Sequence, residues 1–183
     1  ANTRGALAQG APGGIRFTGY PFSLGVASGA PRHDSVVLWT RLAPEPLNAT
    51  GDGGMPPDRI NVNWEVAEDE QFKKIVRRGA IRAVPELAFS VHAEVEGLEP
   101  GQWYFYRFIA GGEVSPVGRT RTAGVREEKL RFAFASCQQY EQGFFSAYRH
   151  MAAENLDLVV FLGDYIYEAN WGSNLVRRHA GPE

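Results

Sequence analysis

Two periodicities divide the chain. Over residues 60–66, apolar Ile60, Val62, Trp64 and Val66 alternate with Asn61, Asn63 and Glu65. Period two marks a half-buried antiparallel strand, because successive side chains point to opposite faces. Short apolar segments recur at 23–27 (SLGVA), 35–42 (SVVLWTRL), 75–83, 89–95 and 102–110 (QWYFYRFIA), and 113–122 closes the series with a further extended piece. Residues 47–58 (LNATGDGGMPPD) are a loop by composition. Roughly seven strands with turns at this spacing predict a β-sandwich between Phe17 and Thr122. Leu98, Pro100 and Tyr104 fall in the L-x-P-x-x-x-Y arrangement of a tyrosine corner, in which a Tyr near a strand start bonds back to the backbone. That spacing resembles fibronectin type III and other immunoglobulin-like modules.

Beyond a polar stretch at 123–129 (AGVREEK) the period changes, which puts a boundary near residue 125. Residues 130–136 are apolar, with Arg131 the one charge, and run straight into Cys137. Phe144, Phe145, Tyr148, Met151 and Ala152 recur at helical spacing and predict one apolar helix face. Residues 156–162 (LDLVVFL) form a second apolar run, bounded by Gly163. Strand, helix, strand of this size is a βαβ unit, and its strands are expected to be parallel and buried on both faces.

In open α/β sheets ligand chemistry sits past the carboxyl ends of the strands. Those ends carry Cys137 and, further on, Asp164 with Tyr167. Cys137 reads as a small core residue, as a nucleophile served by His150, or as a metal ligand. Its place at a strand end, followed by Gln138 and Gln139, favours the metal, which lowers a thiol's pKa. Asp164 either caps a turn or projects a carboxylate from the sheet edge after Gly163. Tyr167 offers a hard phenolate oxygen, whereas Tyr165 reads as packing.

Composition narrows the classes. The chain has 183 residues, 44% hydrophobic and 22% charged, with a formal net charge of −2. No general attraction to nucleic acid or anionic membrane follows from that charge, and no apolar run approaches the ~20 residues of a membrane span. Residues 1–16 are small and Gly/Pro-rich, a flexible leader without the apolar core of a signal peptide. One cysteine forms no internal disulfide. Asn48 begins the glycosylation pattern Asn-Ala-Thr. His33, His92, His150 and His179 show no metal-ligand spacing. Arg177, Arg178 and His179 form a basic cluster that is either a solvated face or a phosphate holder. There is no Gly-rich phosphate loop, C-x-x-C or G-x-S-x-G.

The segments FSLGVASGAPRHDSVVLWTRLAP, LRFAFASCQQYEQGFFSAYRHMAAENLDLVVFLGDYIYE and VRRHAGPE together resemble the PhoD-type alkaline phosphatases of the metallophosphoesterase superfamily, from about Phe17 to the last residue. After the leader over 1–16, the resemblance implies an immunoglobulin/fibronectin-III-like sandwich over 17–123 and the start of an α/β metallophosphatase domain over 129–183. It implies that Cys137 and Tyr167 ligate an iron ion and that Asp164 bridges it to calcium. It further implies hydrolysis of phosphomonoesters and phosphodiesters for phosphate scavenging, and export by the twin-arginine route with a signal outside this chain. Two cations about 4 Å apart polarise a phosphoryl group and supply the oxygen nucleophile. Family members carry further ligands downstream, so the chain is expected to be an N-terminal piece, inactive alone. Its second sheet is expected to keep open edges and apolar faces.

Three rival readings stand beside this one. Purple acid phosphatases also put a fibronectin-like module before a G-D-x-x-Y segment, which Gly163, Asp164 and Tyr167 match, but they place a carboxylate where Cys137 stands. A non-enzymatic binding module would use the sandwich alone. A thiol-dependent hydrolase would use Cys137 as nucleophile.

Overall fold

Alternating sequence becomes two-faced sheet throughout the first half of the chain. The computed structural model describes residues 15–125, 129–167 and 175–177, and the chain divides into two compact units, Ala1–Ala123 and Gly124–Glu183. The first unit holds β1 (Val26–Gly29), β2 (Val36–Arg41), β3 (Ile60–Ala67), β4 (Ile75–Ala83), β5 (Ser90–Val95), β6 (Trp103–Ala110), β7 (Glu113–Val114) and β8 (Gly118–Arg121). One sheet has the order β1-β2-β5; the other runs β4-β3-β6, with β7 and β8 both on β6. Every pairing in both is antiparallel. The predicted sandwich is therefore present, with one strand more than expected. The 113–122 piece splits because Pro116 has no N–H for a ladder. Ser115 fills the gap: its N–H donates to the Phe108 carbonyl at 2.9 Å, and its hydroxyl accepts from the Phe108 N–H at 2.9 Å.

The core lies between the sheets. Val36, Leu38, Val91, Ala93 and Val95 of the three-stranded sheet face Ile60, Val62, Val66, Tyr104, Tyr106 and Phe108 of the other. Full burial of an aliphatic or phenyl side chain contributes about 1.5–3 kcal/mol. A register shift between Val66 and Ala67 lets two consecutive residues turn inward. The corner forms as its spacing predicts: the Glu99 N–H donates to the buried Tyr104 hydroxyl at 2.9 Å. Two glycines sit where a cross-strand aromatic lies flat on the sheet. Gly79 pairs with Trp64 and Gly118 with Tyr106, and a Cβ on either would meet the ring at 2.4 Å and 2.2 Å respectively. The leader predicted over 1–16 lies outside the described residues up to position 14, and Ile15 already packs against the core. Ala123, expected in the linker, is pinned: its N–H donates to the Arg32 carbonyl at 2.9 Å, and its carbonyl takes the Gly101 N–H and His33 Nδ1. The Asn48 amide donates to Asp52 at 2.5 Å, so the nitrogen of the glycosylation pattern is already engaged.

The second unit contains β9 (Phe132–Ala135), α1 (Ser146–Ala153) and β10 (Leu158–Phe161). β9 and β10 pair in parallel, Phe132 opposite Leu158 and Ala135 opposite Phe161. The expected parallel pair is there, but the expectation of burial on both faces fails. Phe132 and Phe134 are 57% and 65% exposed, and Val159 is 49% exposed. Two four-residue strands and an eight-residue helix offer too little apolar area to enclose either face. Open edges and apolar faces are what the family resemblance implies. The helix also differs from its predicted face. Tyr148 and Met151 are half-buried, Ala152 is exposed, and Phe144 lies before the helix, 74% exposed. Phe145 occupies the N-cap in the left-handed region at φ 52°.

Two outcomes follow for the first unit. Gly118→Ala forces the buried Tyr106 ring aside and is expected to cost about 1–3 kcal/mol in urea unfolding of the chain. Burial pushes the Tyr106 phenol up to about 12, opposed by a hydrogen bond with Ser28. The folded state thus resists ionisation that the unfolded chain undergoes near 10. Stability from this group is complete below pH 10 and declines as pH rises toward 12. Tyr106→Phe is expected to flatten that alkaline decline in unfolding midpoints measured across the window.

Candidate metal centre

The ladder between β9 and β10 does not stop at the strand ends. Leu162 N–H donates to Ala135 O at 2.8 Å, Cys137 N–H to Gly163 O at 3.2 Å, and Gln138 N–H to Asp164 O at 3.0 Å. Each bond carries one chain past the carboxyl end of its strand while tying it to the other. Along this extension the backbone turns sharply: Cys137 has φ 58°, Gly163 φ 129° and Asp164 φ 52°. Glycine takes such angles freely, and Asp enters the left-handed region more readily than most residues. A cysteine there costs on the order of 1–3 kcal/mol, and strain of that kind points to a functional constraint.

These turns bring the predicted side chains together. Cys137 Sγ lies 3.4 Å from Asp164 Oδ2, and the Tyr167 hydroxyl lies 3.3 Å from the same oxygen. Tyr167 also hydrogen-bonds Cys137. Thiol, carboxyl and phenol form a closed triangle, with Cys137 and Asp164 exposed. The Tyr167 phenol is pushed up to about 12, first by its hydrogen bond with Cys137, then by desolvation and the negative charges of Asp164 and Cys137. Tyr165 behaves as packing, its ring edge-on to Phe161 at 4.8 Å.

The other candidates lie elsewhere. His92 stands on β5 opposite Trp39, His33 meets the Ala123 carbonyl, and His150 is exposed in the last turn of α1. The partners of Cys137 are a carboxylate and a phenol, not His150, which leaves the thiol-hydrolase reading without its base. Arg178 and His179 lie outside the described residues. The Arg177 guanidinium donates to the carbonyls of Tyr140 and, at 2.8 Å, Gly143. It also stacks over the rings of Phe145 and Tyr140, at 4.5 Å and 5.3 Å. Sequence spacing gave no sign of this, because partners 34 and 37 positions apart share no periodicity.

The donor set suits one ion better than two. Thiolate and phenolate match iron, and Asp164 adds a carboxylate to the same point. Calcium takes roughly six to eight oxygens, and Asp164 supplies one carboxylate toward them. Among the described residues no three His, Cys, Asp or Glu side chains gather as a metal cluster. The residues present fit part of an iron sphere and do not fit a calcium site.

A β-sandwich is followed in the chain by a parallel βαβ unit with polar groups gathered past its strand ends. The profile of the PhoD-like phosphatase N-terminal domain matches residues 8–124, and that of the PhoD-like phosphatase itself matches residues 132–183. The chain belongs to the PhoD-like phosphatase family. It is 61% identical over 155 residues to alkaline phosphatase D of Bacillus subtilis (strain 168), covering 83% of this chain and 26% of that protein. A solved structure titled "Structure of PhoD" superposes with a TM-score of 0.79 at 60% identity, covering 84% of this chain and 30% of the other. The chain thus spans about a quarter of the length of the curated relative it matches. Among the described residues no helix is long and apolar enough to cross a membrane.

The triangle makes its own test. Asp164→Asn removes a negative charge beside Tyr167 and is expected to lower that phenol's pKa toward 10, read as tyrosinate absorbance of the metal-free chain against its Tyr167→Phe background. An unchanged titration would mean the three groups do not meet in solution.

Proposed function

We propose that this chain carries the sandwich module, over 17–123, and the opening of the catalytic domain, over 129–183, of an exported metal-dependent phosphatase. The enzyme hydrolyses phosphomonoesters and phosphodiesters to recover phosphate. The observation that carries this reading is the meeting of Cys137, Asp164 and Tyr167 past the carboxyl ends of β9 and β10. Family membership and the name of the Bacillus subtilis relative support the reaction class.

In this reading Cys137 and Tyr167 would hold an iron ion, and Asp164 would supply the carboxylate beside it. A cation so held polarises a phosphoryl group and lowers the pKa of an attacking water. What the chain itself does is prepare the donors. The extended ladder fixes the backbone at Cys137 and Asp164, so little ordering remains when the ion arrives. Tyr167 must give up its proton to bind; its hydroxyl rests on Asp164 Oδ2 beforehand, and the proton is released to solvent because Asp164 must stay ionised to act as a ligand. The described residues do not supply the roughly six to eight oxygens of a calcium shell.

Purified 183-residue chain, given iron and calcium, is expected not to turn over a chromogenic phosphate ester, because three donors leave both shells incomplete. A protein extended to its relative's length is expected to be active, and Cys137→Ser or Tyr167→Phe in it to lose at least about a hundredfold in rate together with bound iron. Turnover by the short chain, or full activity in both variants, would overturn the reading.

A further inference from the structure

The loop from Cys137 to Phe145 is contorted. Cys137 (φ 58°), Gly143 (φ 68°) and Phe145 (φ 52°) are all left-handed within it. Two of these are not glycine, and such angles persist only where surrounding contacts over-determine them. One end is held by the ladder to Gly163 and Asp164. At the other end, Val176 and Arg177 donate their N–H groups to the Glu141 carbonyl, at 2.8 Å and 3.3 Å. The Arg177 fork takes the Tyr140 and Gly143 carbonyls, and its flat face covers the Phe145 ring at 4.5 Å. Glu141, at the centre of these contacts, is the only buried residue among those described from 129 onward.

We propose that Arg177 is a positioning residue for the metal centre: it clamps the Cys137 loop from outside so that the thiol is preset beside Asp164. The role belongs to arginine rather than to charge alone. Two carbonyls and an aromatic face ask for a planar fork, and a lysine ammonium offers a single point. A basic residue that sequence places with a phosphate holder thereby acts on the protein's own backbone. The inference rests on the metal reading of Cys137, and its test separates the two.

The 183-residue chain, Arg177→Ala and Arg177→Lys are titrated with Co2+ alone, following thiolate-to-cobalt absorption. Amide exchange at Gln138 is measured without metal. Both variants are expected to bind Co2+ on the order of tenfold more weakly, as when a group that orients a ligand is lost. Gln138, whose N–H reaches Asp164, is expected to exchange faster, while Leu162 in the strand ladder keeps its protection. Binding and Gln138 exchange unchanged in Arg177→Ala, or full rescue by Arg177→Lys, would overturn the clamp. Loss of Leu162 protection in Arg177→Ala means the unit has opened, and Arg177→Lys then decides. If the unsubstituted chain shows no thiolate-to-cobalt band, the three donors do not hold a cation without the rest of the shell, and Gln138 exchange alone decides the clamp.

Discussion

Backbone hydrogen bonds that continue beyond a short parallel strand pair hold the site together. β9 and β10 have four residues each, yet their pairing reaches on through Leu162, Cys137 and Gln138. Without those bonds the loops after Ala135 and Phe161 would be independent, and nothing in the packing would bring a thiol to a carboxylate. The arrangement is made of main chain, which explains how it forms where almost nothing is buried. Neutral backbone bonds contribute only about 0.5–1.5 kcal/mol each, so their value lies in register rather than strength.

The two units solve the stability problem in opposite ways. The sandwich encloses its own apolar surface between two sheets, with fully buried Leu38, Val62, Val66 and Phe108. Its special contacts fit one strand to the next: Gly118 under Tyr106, Ser115 completing the ladder of Phe108, the Tyr104 hydroxyl on Glu99. In the βαβ unit Phe132, Phe134 and Val159 are open, and the contacts that bind its loops are hydrogen bonds. Precision at the candidate site therefore comes from a few directional contacts, whereas precision in the sandwich comes from close packing.

Much of this was legible in the sequence, for identifiable reasons. Alternation over residues 60–66 marked an inner and outer face because a strand has period two whatever its neighbours. Leu98, Pro100 and Tyr104 announced a corner because its hydrogen bond spans five positions. Cys137, Asp164 and Tyr167 could be drawn to one place because parallel strands deliver their carboxyl ends to one edge. The misses share a cause as well. An apolar run such as LDLVVFL states what a strand is able to bury, not what is at hand to cover it. Arg177 finds carbonyls of residues far away in the chain, and a carbonyl belongs to every residue alike, so composition leaves no trace of which one will be used.

The left-handed backbone at Cys137 and Asp164 sets selection for robustness against selection for chemistry. At both positions glycine would relieve the torsional cost, and by that measure alone each is a favourable change. Each would also delete a donor atom. A lineage drifting toward a sturdier fold would be drawn, one residue at a time, toward a version with the same shape and an empty triangle. Two positions where glycine would ease the backbone are positions the proposed chemistry cannot give up, and a search for thermostable variants of this chain would have to be barred from those substitutions.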